Sequence, residues 1–147
     1  VEWEISERQE TPISCMMIDA DGFKAINDIH GHDAGDMVLR ALSKQLQHAV
    51  RTDDIVCRLG GDEFLIICAR TPLDGAMQLA ETVREEVAGL RVPAGNGEWV
   101  GSISVGVAAR SGEMAGFEAL IKAADLGVYV AKRNGRNCVA ASTRGSR

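Results

Sequence analysis

The stretch Arg58-Leu59-Gly60-Gly61-Asp62-Glu63-Phe64 constrains the fold of this chain more than any other. It sets a glycine pair and two consecutive carboxylates between the apolar runs Ile55 to Leu59 and Phe64 to Cys68. Two short β-type runs joined by glycines read as a hairpin, because glycine accepts the positive φ that a tight two-residue turn needs. The acids then stand at an exposed tip. Glycines there also leave room for a ligand against backbone N–H groups while Asp62 and Glu63 hold a cation beside it, an arrangement suited to a metal-bound phosphate.

The rest of the chain reads in order around that hairpin. Ile13-Ser14-Cys15-Met16-Met17-Ile18 is a buried strand ending at Asp19, with Asp21 just beyond it. A short helix is expected over Phe23 to Ile29, stopped by Gly31. A longer one from Asp33 carries Val38, Leu39, Leu42, Leu46 and Val50 on one face. Pro72 opens a helix with Ala76, Leu79, Val83, Val87 and Leu90 at the same period, and Ala94 to Glu98 is expected as a turn or loop. Trp99 to Ala109 alternates as a strand. Phe117, Leu120, Ile121, Ala124, Val128 and Ala131 form the face of a last helix that stops near Asn134-Gly135, and Cys138 to Ala140 is expected as an edge strand.

This order predicts an α+β two-layer fold of the ferredoxin-like or palm type: a β-α-β-β-α-β antiparallel sheet covered by helices on one face, with an extra C-terminal helix. Residues 1–12 are expected as the remnant of a first helix ended by Pro12, residues 13–140 as one domain, and residues 141–147 as a flexible tail. With 147 residues there is chain for one ordinary core. Sixteen basic against 21 acidic residues argue against general adhesion to nucleic acid or anionic membrane. Four cysteines without C-x-x-C spacing, three of them in apolar runs, point to a reducing, cytoplasmic setting.

In this layout the first strand lies against the hairpin, so Asp19 meets Asp62 and Glu63. Magnesium favours a few carboxylates plus substrate phosphates, and these acids supply that set. Lys24, Arg58, Lys132 and Arg136 are the cations at hand for phosphates, and Lys132 and Arg136 share a face as long as the helix continues. Asn27 and Asp36 suit a guanine edge, the amide offering donor and acceptor and the carboxylate accepting two N–H groups. A zinc site from His30, His32 and the nearby aspartates is disfavoured, because the histidines lack i, i+4 spacing and no cysteine is near.

Six ordered blocks carry a resemblance. They are Asp19-x-Asp-x-Phe23-Lys24-x-Ile-Asn27-Asp28, Gly31-His32, Gly35-Asp36, Arg58-x-Gly60-Gly61-Asp62-Glu63-Phe64, Ser104-x-Gly106-Val107, and Ala124-Asp125 to Tyr129-x-Ala131-Lys132-x-x-Gly135-Arg136-Asn137. From about Ile13 to Val139 the chain resembles the GGDEF family of diguanylate cyclases, which condense two GTP into cyclic di-GMP. The resemblance implies Asp19, Asp62 and Glu63 as catalytic acids. It places two Mg2+ or Mn2+ ions per site on Asp19, the Ala20 carbonyl, Asp62 and Glu63. Phe23, Lys24, Asn27, His32, Asp36, Gly60, Gly61, Lys132 and Arg136 would bind substrate, Lys132 and Arg136 at the outer phosphates. It implies a transient homodimer bringing two GTP face to face, with no nucleic acid and no membrane contact from this chain.

Arg51-Thr52-Asp53-Asp54 resembles the family's R-x-x-D motif, with five residues between Asp54 and Gly60, and implies a cyclic di-GMP site for feedback inhibition through Arg51 and Asp54. A further cation expected from the next helix falls at Thr82, with Arg84 nearby. The D-x-L-T-G-L-x-N-R stretch that normally opens the family is not found, which leads to the expectation of an N-terminally truncated domain. Two other readings stay open: a silent module that binds GTP or cyclic di-GMP to regulate a neighbour, and a nucleotidyl cyclase or polymerase palm for another nucleotide.

Overall fold

In the computed structural model, which describes residues 3–4 and 11–141, every residue of strand β1 (Ile13–Ala20) is buried. The cause is its place in the middle of a five-stranded sheet of order β2-β3-β1-β6-β7, where β2 is Ile55–Gly60, β3 Glu63–Ala69, β6 Ile103–Ala109 and β7 Cys138–Ala141. β1 pairs antiparallel with β3 and with β6, and β2 with β3, so the expected hairpin and its docking against the first strand are both present. β7 runs parallel to β6, which makes the sheet mixed rather than wholly antiparallel.

Alternation along β1 sorts the core into two layers. Met16, Ile18 and Ala20 face helices α2 (His32–Ala49) and α3 (Leu73–Ala88), packing with Val38, Leu42, Leu46, Ala76, Ala80, Val83 and Val87. Ile13, Cys15 and Met17 face the other way, onto Leu120, Ala124 and Val128 of helix α4 (Phe117–Arg133). The expectation of helices on one face is therefore corrected. β1 is apolar on both faces because it is covered on both faces, and each fully buried side chain such as Ile18 or Phe64 contributes roughly 1.5–3 kcal/mol. Burial also pushes the Cys15 and Cys68 thiols up to about 12, which makes them inert core atoms.

The helix between β1 and α2 is α1 (Phe23–His30). The turn or loop expected at Ala94 to Glu98 is a turn, but it joins two strands that were not expected, β4 (Arg91–Ala94) and β5 (Gly97–Val100), which form a second, two-stranded sheet, so the strand expected from Trp99 is broken before Ile103. Val92, Ala94 and Trp99 point its buried side into the α2 and α3 layer. Its turn closes on α1: a Cβ on Gly95 would come within 2.9 Å of the His30 Cβ, and one on Gly97 within 2.8 Å of Nε2. His30 is thus a packing residue, and among the described residues no group of three His, Cys, Asp or Glu side chains is placed to hold a metal.

Trp3 and Glu4 are helical, and Trp3 packs edge-on against Phe117 at 6.4 Å. Thr11 and Pro12 are not helical; residues 1–2 and 5–10 of the expected helix remnant, and all of the expected tail except Ala141, which closes β7, lie outside the described residues. No helix among the described residues is long and apolar enough to cross a membrane.

Candidate active site

Strand register brings the acids together. Asp19, the second-last residue of β1, sits directly opposite Glu63 of β3 on one side and Ser104 of β6 on the other. The β2–β3 turn is closed by the Gly60–Glu63 pair after a shift in register beyond Arg58. Gly60 at φ 142° and Gly61 at φ 52° make it possible, in a backbone region that suits glycine. A Cβ on either glycine would meet nothing within 4 Å, so the tip is open to a ligand. The Asp62 carbonyl accepts from the Ala20 N–H at 3.3 Å, holding the tip beside the end of β1.

Asp19 lies on the α4 side of the sheet and is 6% exposed. One of its oxygens accepts from the Lys132 ammonium; the other, Oδ1, is buried without a partner. An ionised carboxylate left half satisfied in the interior is costly, and a divalent cation at Oδ1 would remove that cost. The surrounding electrostatics agree. Burial, then the charge of Asp19, pushes the Asp62 carboxyl up; burial, then Asp19, Asp125 and Asp62, does the same to Glu63. Lys132 is held above its ordinary range by its bond to Asp19. Too many carboxylates share one sheet end for a single lysine to balance. No three acids among the described residues are already gathered for a metal, so what fits a divalent ion here is the unpartnered Asp19 Oδ1, with Asp62 and Glu63 close by and the remaining ligands taken from phosphate or water.

Asn27 of α1 lies across the bare face of Gly35 in α2. A Cβ there would come within 2.3 Å of Asn27 Oδ1 and 3.1 Å of Phe23 Cζ. The next residue, Asp36, is exposed and lines a cleft of about 300 Å3 with Leu39, Arg40, Ser43 and Arg58. Arg58 donates to the Gly61 carbonyl at 3.1 Å, so the cleft that contains Asp36 borders the glycine tip. Gly35→Ala is therefore expected to push Asn27 aside, and to shift the Phe23 ring by a few tenths of an ångström, while the helices stay packed, because the close contacts are with side chains and not with backbone. Calorimetric titration should record about tenfold weaker GTP binding with little change in melting temperature, the size of one lost hydrogen bond to a base edge. Unchanged affinity would remove Asn27 from base recognition.

Other expected substrate residues are placed separately. Phe23 is half-buried against the core, Lys24 is exposed and pairs with Asp28 at 2.9 Å, and His32 is exposed at the start of α2. Lys132 and Arg136 do not share a helical face: α4 ends at Arg133, and Arg136 stands in the following loop at φ 65°. Lys132 reaches inward to Asp19, while Arg136 is exposed.

Arg51 and Asp54 form a compact unit elsewhere. Asp54 has no exposed side-chain surface and accepts from Arg51 Nε at 2.9 Å, Arg51 NH2 at 2.8 Å and the Arg51 N–H at 2.9 Å. Arg51 NH2 also donates to Thr71 Oγ1 at 2.7 Å. Beside them lies a cleft of about 340 Å3 lined by Arg51, Thr52, Asp53, Ala69 and Arg70. Arg70, which sequence reasoning missed, pairs there with Asp53 and holds a left-handed φ of 53°. Arg84 is engaged elsewhere, by Glu81 and by Asn137 of the loop after α4. Asp125 was quoted above only as part of a motif; its charge acts on Glu63.

A mixed sheet sandwiched by helices, with Asp19 at the end of its central strand opposite Glu63 and beside an open glycine turn, defines an α+β domain with an acidic site at one sheet end. Residues 1–138 match the family model described as diguanylate cyclase, GGDEF domain, and the chain belongs to the GGDEF family. It is 46% identical over 130 residues to response regulator PleD of Caulobacter vibrioides and 42% identical over 135 residues to diguanylate cyclase DosC of Escherichia coli. These alignments cover 87% and 91% of this chain but 29% of each relative, so the chain spans under a third of their length. Among solved structures it resembles the active GGEEF domain of a diguanylate cyclase from Vibrio cholerae, with TM-score 0.85 and 33% identity, covering 95% of this chain and 88% of that one. The GGDEF domain of DgcB from Caulobacter crescentus, in complex with c-di-GMP, superposes with TM-score 0.87 at 29% identity, covering 95% and 83%.

Proposed function

We propose that this domain is a diguanylate cyclase, joining two GTP into 3′,5′-linked cyclic di-GMP with release of two pyrophosphates. The observation that carries the reading is the buried, unpartnered Oδ1 of Asp19, directly across the ladder from Glu63 and beside the open glycine tip. Asp19, Asp62, Glu63 and the Ala20 carbonyl would hold two Mg2+ or Mn2+ ions. Those ions would polarise the α-phosphate and favour loss of the 3′-hydroxyl proton. Asn27 and Asp36 select guanine. Lys132 and Arg136 neutralise the outer phosphates, helped by the backbone at Phe23 and Lys24, with His32 at the rim. Gly60 and Gly61 let the triphosphate approach the chain.

The reaction forms a bond from the 3′-oxygen of one GTP to the α-phosphorus of the other and breaks the bond to pyrophosphate, twice per product. One domain holding one GTP cannot close the ring, so two copies meet transiently face to face. Lys132 is paired with Asp19, and it would turn from that carboxylate to phosphate as metal and GTP bind. A cytoplasmic setting fits four free cysteines and a GTP substrate.

Arg51 and Asp54 form the product-binding site, and Arg70, which lines the same cleft, supplies a second cation that Thr82 on the next helix does not. Incubation with GTP and Mg2+, followed by chromatography, tests both parts. Cyclic di-GMP should accumulate and then stall in the parent, and continue in Arg51→Ala with at least about tenfold weaker inhibition, the loss of one forked phosphate contact. Stalling unchanged in Arg51→Ala would remove the feedback site. GTP left intact by both, with cyclic di-GMP still bound, would favour the silent binding module instead.

A further inference from the structure

Asp21 stands two residues beyond Asp19, yet its carboxylate is turned to another task. Oδ1 accepts from Ser104 Oγ at 2.7 Å, and Oδ2 from Ser102 Oγ at 2.6 Å and from the Asn137 N–H at 3.1 Å. Its carbonyl accepts from Trp99 Nε1 at 2.8 Å, and its N–H donates to the Ser102 carbonyl at 2.9 Å. One residue thus ties the end of β1 to β5, to the start of β6 and to the loop between α4 and β7. With three donors on its two oxygens, it is poorly placed to serve a metal.

The loop it holds is unusual. After Gly135 at φ 113°, two consecutive non-glycine residues, Arg136 at φ 65° and Asn137 at φ 47°, adopt left-handed backbone. That conformation is unfavourable for a side-chain-bearing residue and persists only where neighbouring bonds enforce it. Three bonds do so. The Arg136 N–H donates to the Ala131 carbonyl at 3.0 Å, Asn137 Oδ1 accepts from Arg84 at 3.1 Å, and the Asn137 N–H donates to Asp21. The last is charge-assisted. It lies immediately after the peptide that sets where the Arg136 guanidinium goes.

We propose that Asp21 is a positioning residue: through Ser102, Ser104 and the Asn137 N–H it locks the left-handed Arg136-Asn137 turn, and so aims Arg136 at the outer phosphates of the bound nucleotide. This rests on the reading of Arg136 as a phosphate contact given above. The consequence is selective, because the base and the ribose meet other elements.

The test measures binding of GMP and of 3′-deoxy-GTP, which cannot condense, with Mg2+ to the parent, Asp21→Ala, Arg136→Ala and the double variant. Asp21→Ala should weaken 3′-deoxy-GTP by about tenfold, as Arg136→Ala does, and leave GMP within about twofold; the double variant should be no weaker than Arg136→Ala alone. Asp21→Asn, which keeps the volume and one oxygen acceptor, should recover most of the lost affinity, and it carries the comparison if the alanine variant fails to fold. Equal weakening of GMP and 3′-deoxy-GTP, or additive losses in the double variant, overturns the proposal while leaving Arg136 on the phosphates. An Arg136→Ala protein that binds 3′-deoxy-GTP as the parent does overturns the phosphate role of Arg136, and the proposal with it.

Discussion

Glu63→Gln is expected to lower cyclic di-GMP formation at saturating GTP by on the order of 10³-fold, the several kcal/mol that a metal-bound carboxylate supports at a reacting phosphoryl group. The change is isosteric, and Glu63 stays in the ladder opposite Asp19 and Gly60. Its carboxyl is held above the ordinary range by burial and by Asp19, Asp125 and Asp62, so its ionisation at neutral pH works against the fold. The neutral amide removes that repulsion. The melting temperature of the metal-free variant should therefore equal or slightly exceed that of the parent, while turnover collapses. Activity within tenfold of the parent would remove Glu63 from the chemistry; a lost fold would mean that the carboxylate is structural.

The largest loss of stability is expected from Gly106→Ala. A Cβ at this point of β6 would lie 2.0 Å from the Ala124 carbonyl oxygen, 2.3 Å from the Val128 nitrogen and 2.7 Å from the Gly127 carbonyl carbon. All three are backbone atoms of α4, so no side chain can swing clear and the helix must lift from the sheet. The cost is about 3 kcal/mol or more, a large share of the roughly 5–15 kcal/mol that holds a domain of this size. Lifting α4 also displaces Lys132, so activity should fall with stability. Urea denaturation compares it with Gly112→Ala, where an added Cβ meets nothing within 4 Å and no change is expected. Equal midpoints for the two variants would show that α4 is not docked this closely.

The acids converged as expected because strand order alone determines their meeting: β1 beside a hairpin leaves Asp19 level with the glycine turn whichever face the helices cover. The helix faces were readable for the same kind of reason, a 3.6-residue period in α2, α3 and α4. What escaped were relations that periodicity does not carry. β1 is apolar at every position from Cys15 to Ile18, a pattern that itself implies cover on both faces, yet it does not say which helix crosses over. The β4–β5 hairpin is four residues a side, with Pro93 in one strand and Gly95 and Gly97 around its turn, so its composition reads as a loop; the burial of Val92, Ala94 and Trp99 is what makes it a sheet. Lys132 and Arg136 are four apart, but the helix ends at Arg133, and the positive φ of Gly135 and of Arg136 itself takes the pair off a common face. Asp21 is delivered by the same strand end as Asp19, and the sequence carries no sign of its partners Ser102, Ser104 and Asn137, which are 81 to 116 residues away along the chain.

The most direct test is to incubate the domain with GTP and Mg2+ and follow the phosphorus species by NMR as the nucleotide is consumed. The account predicts one cyclic di-GMP and two pyrophosphates for every two GTP, with no signal from Asp19→Asn, which loses the buried charge but keeps its shape. GTP that binds to saturation and remains unchanged, or a cyclic mononucleotide in place of the dinucleotide, would contradict it.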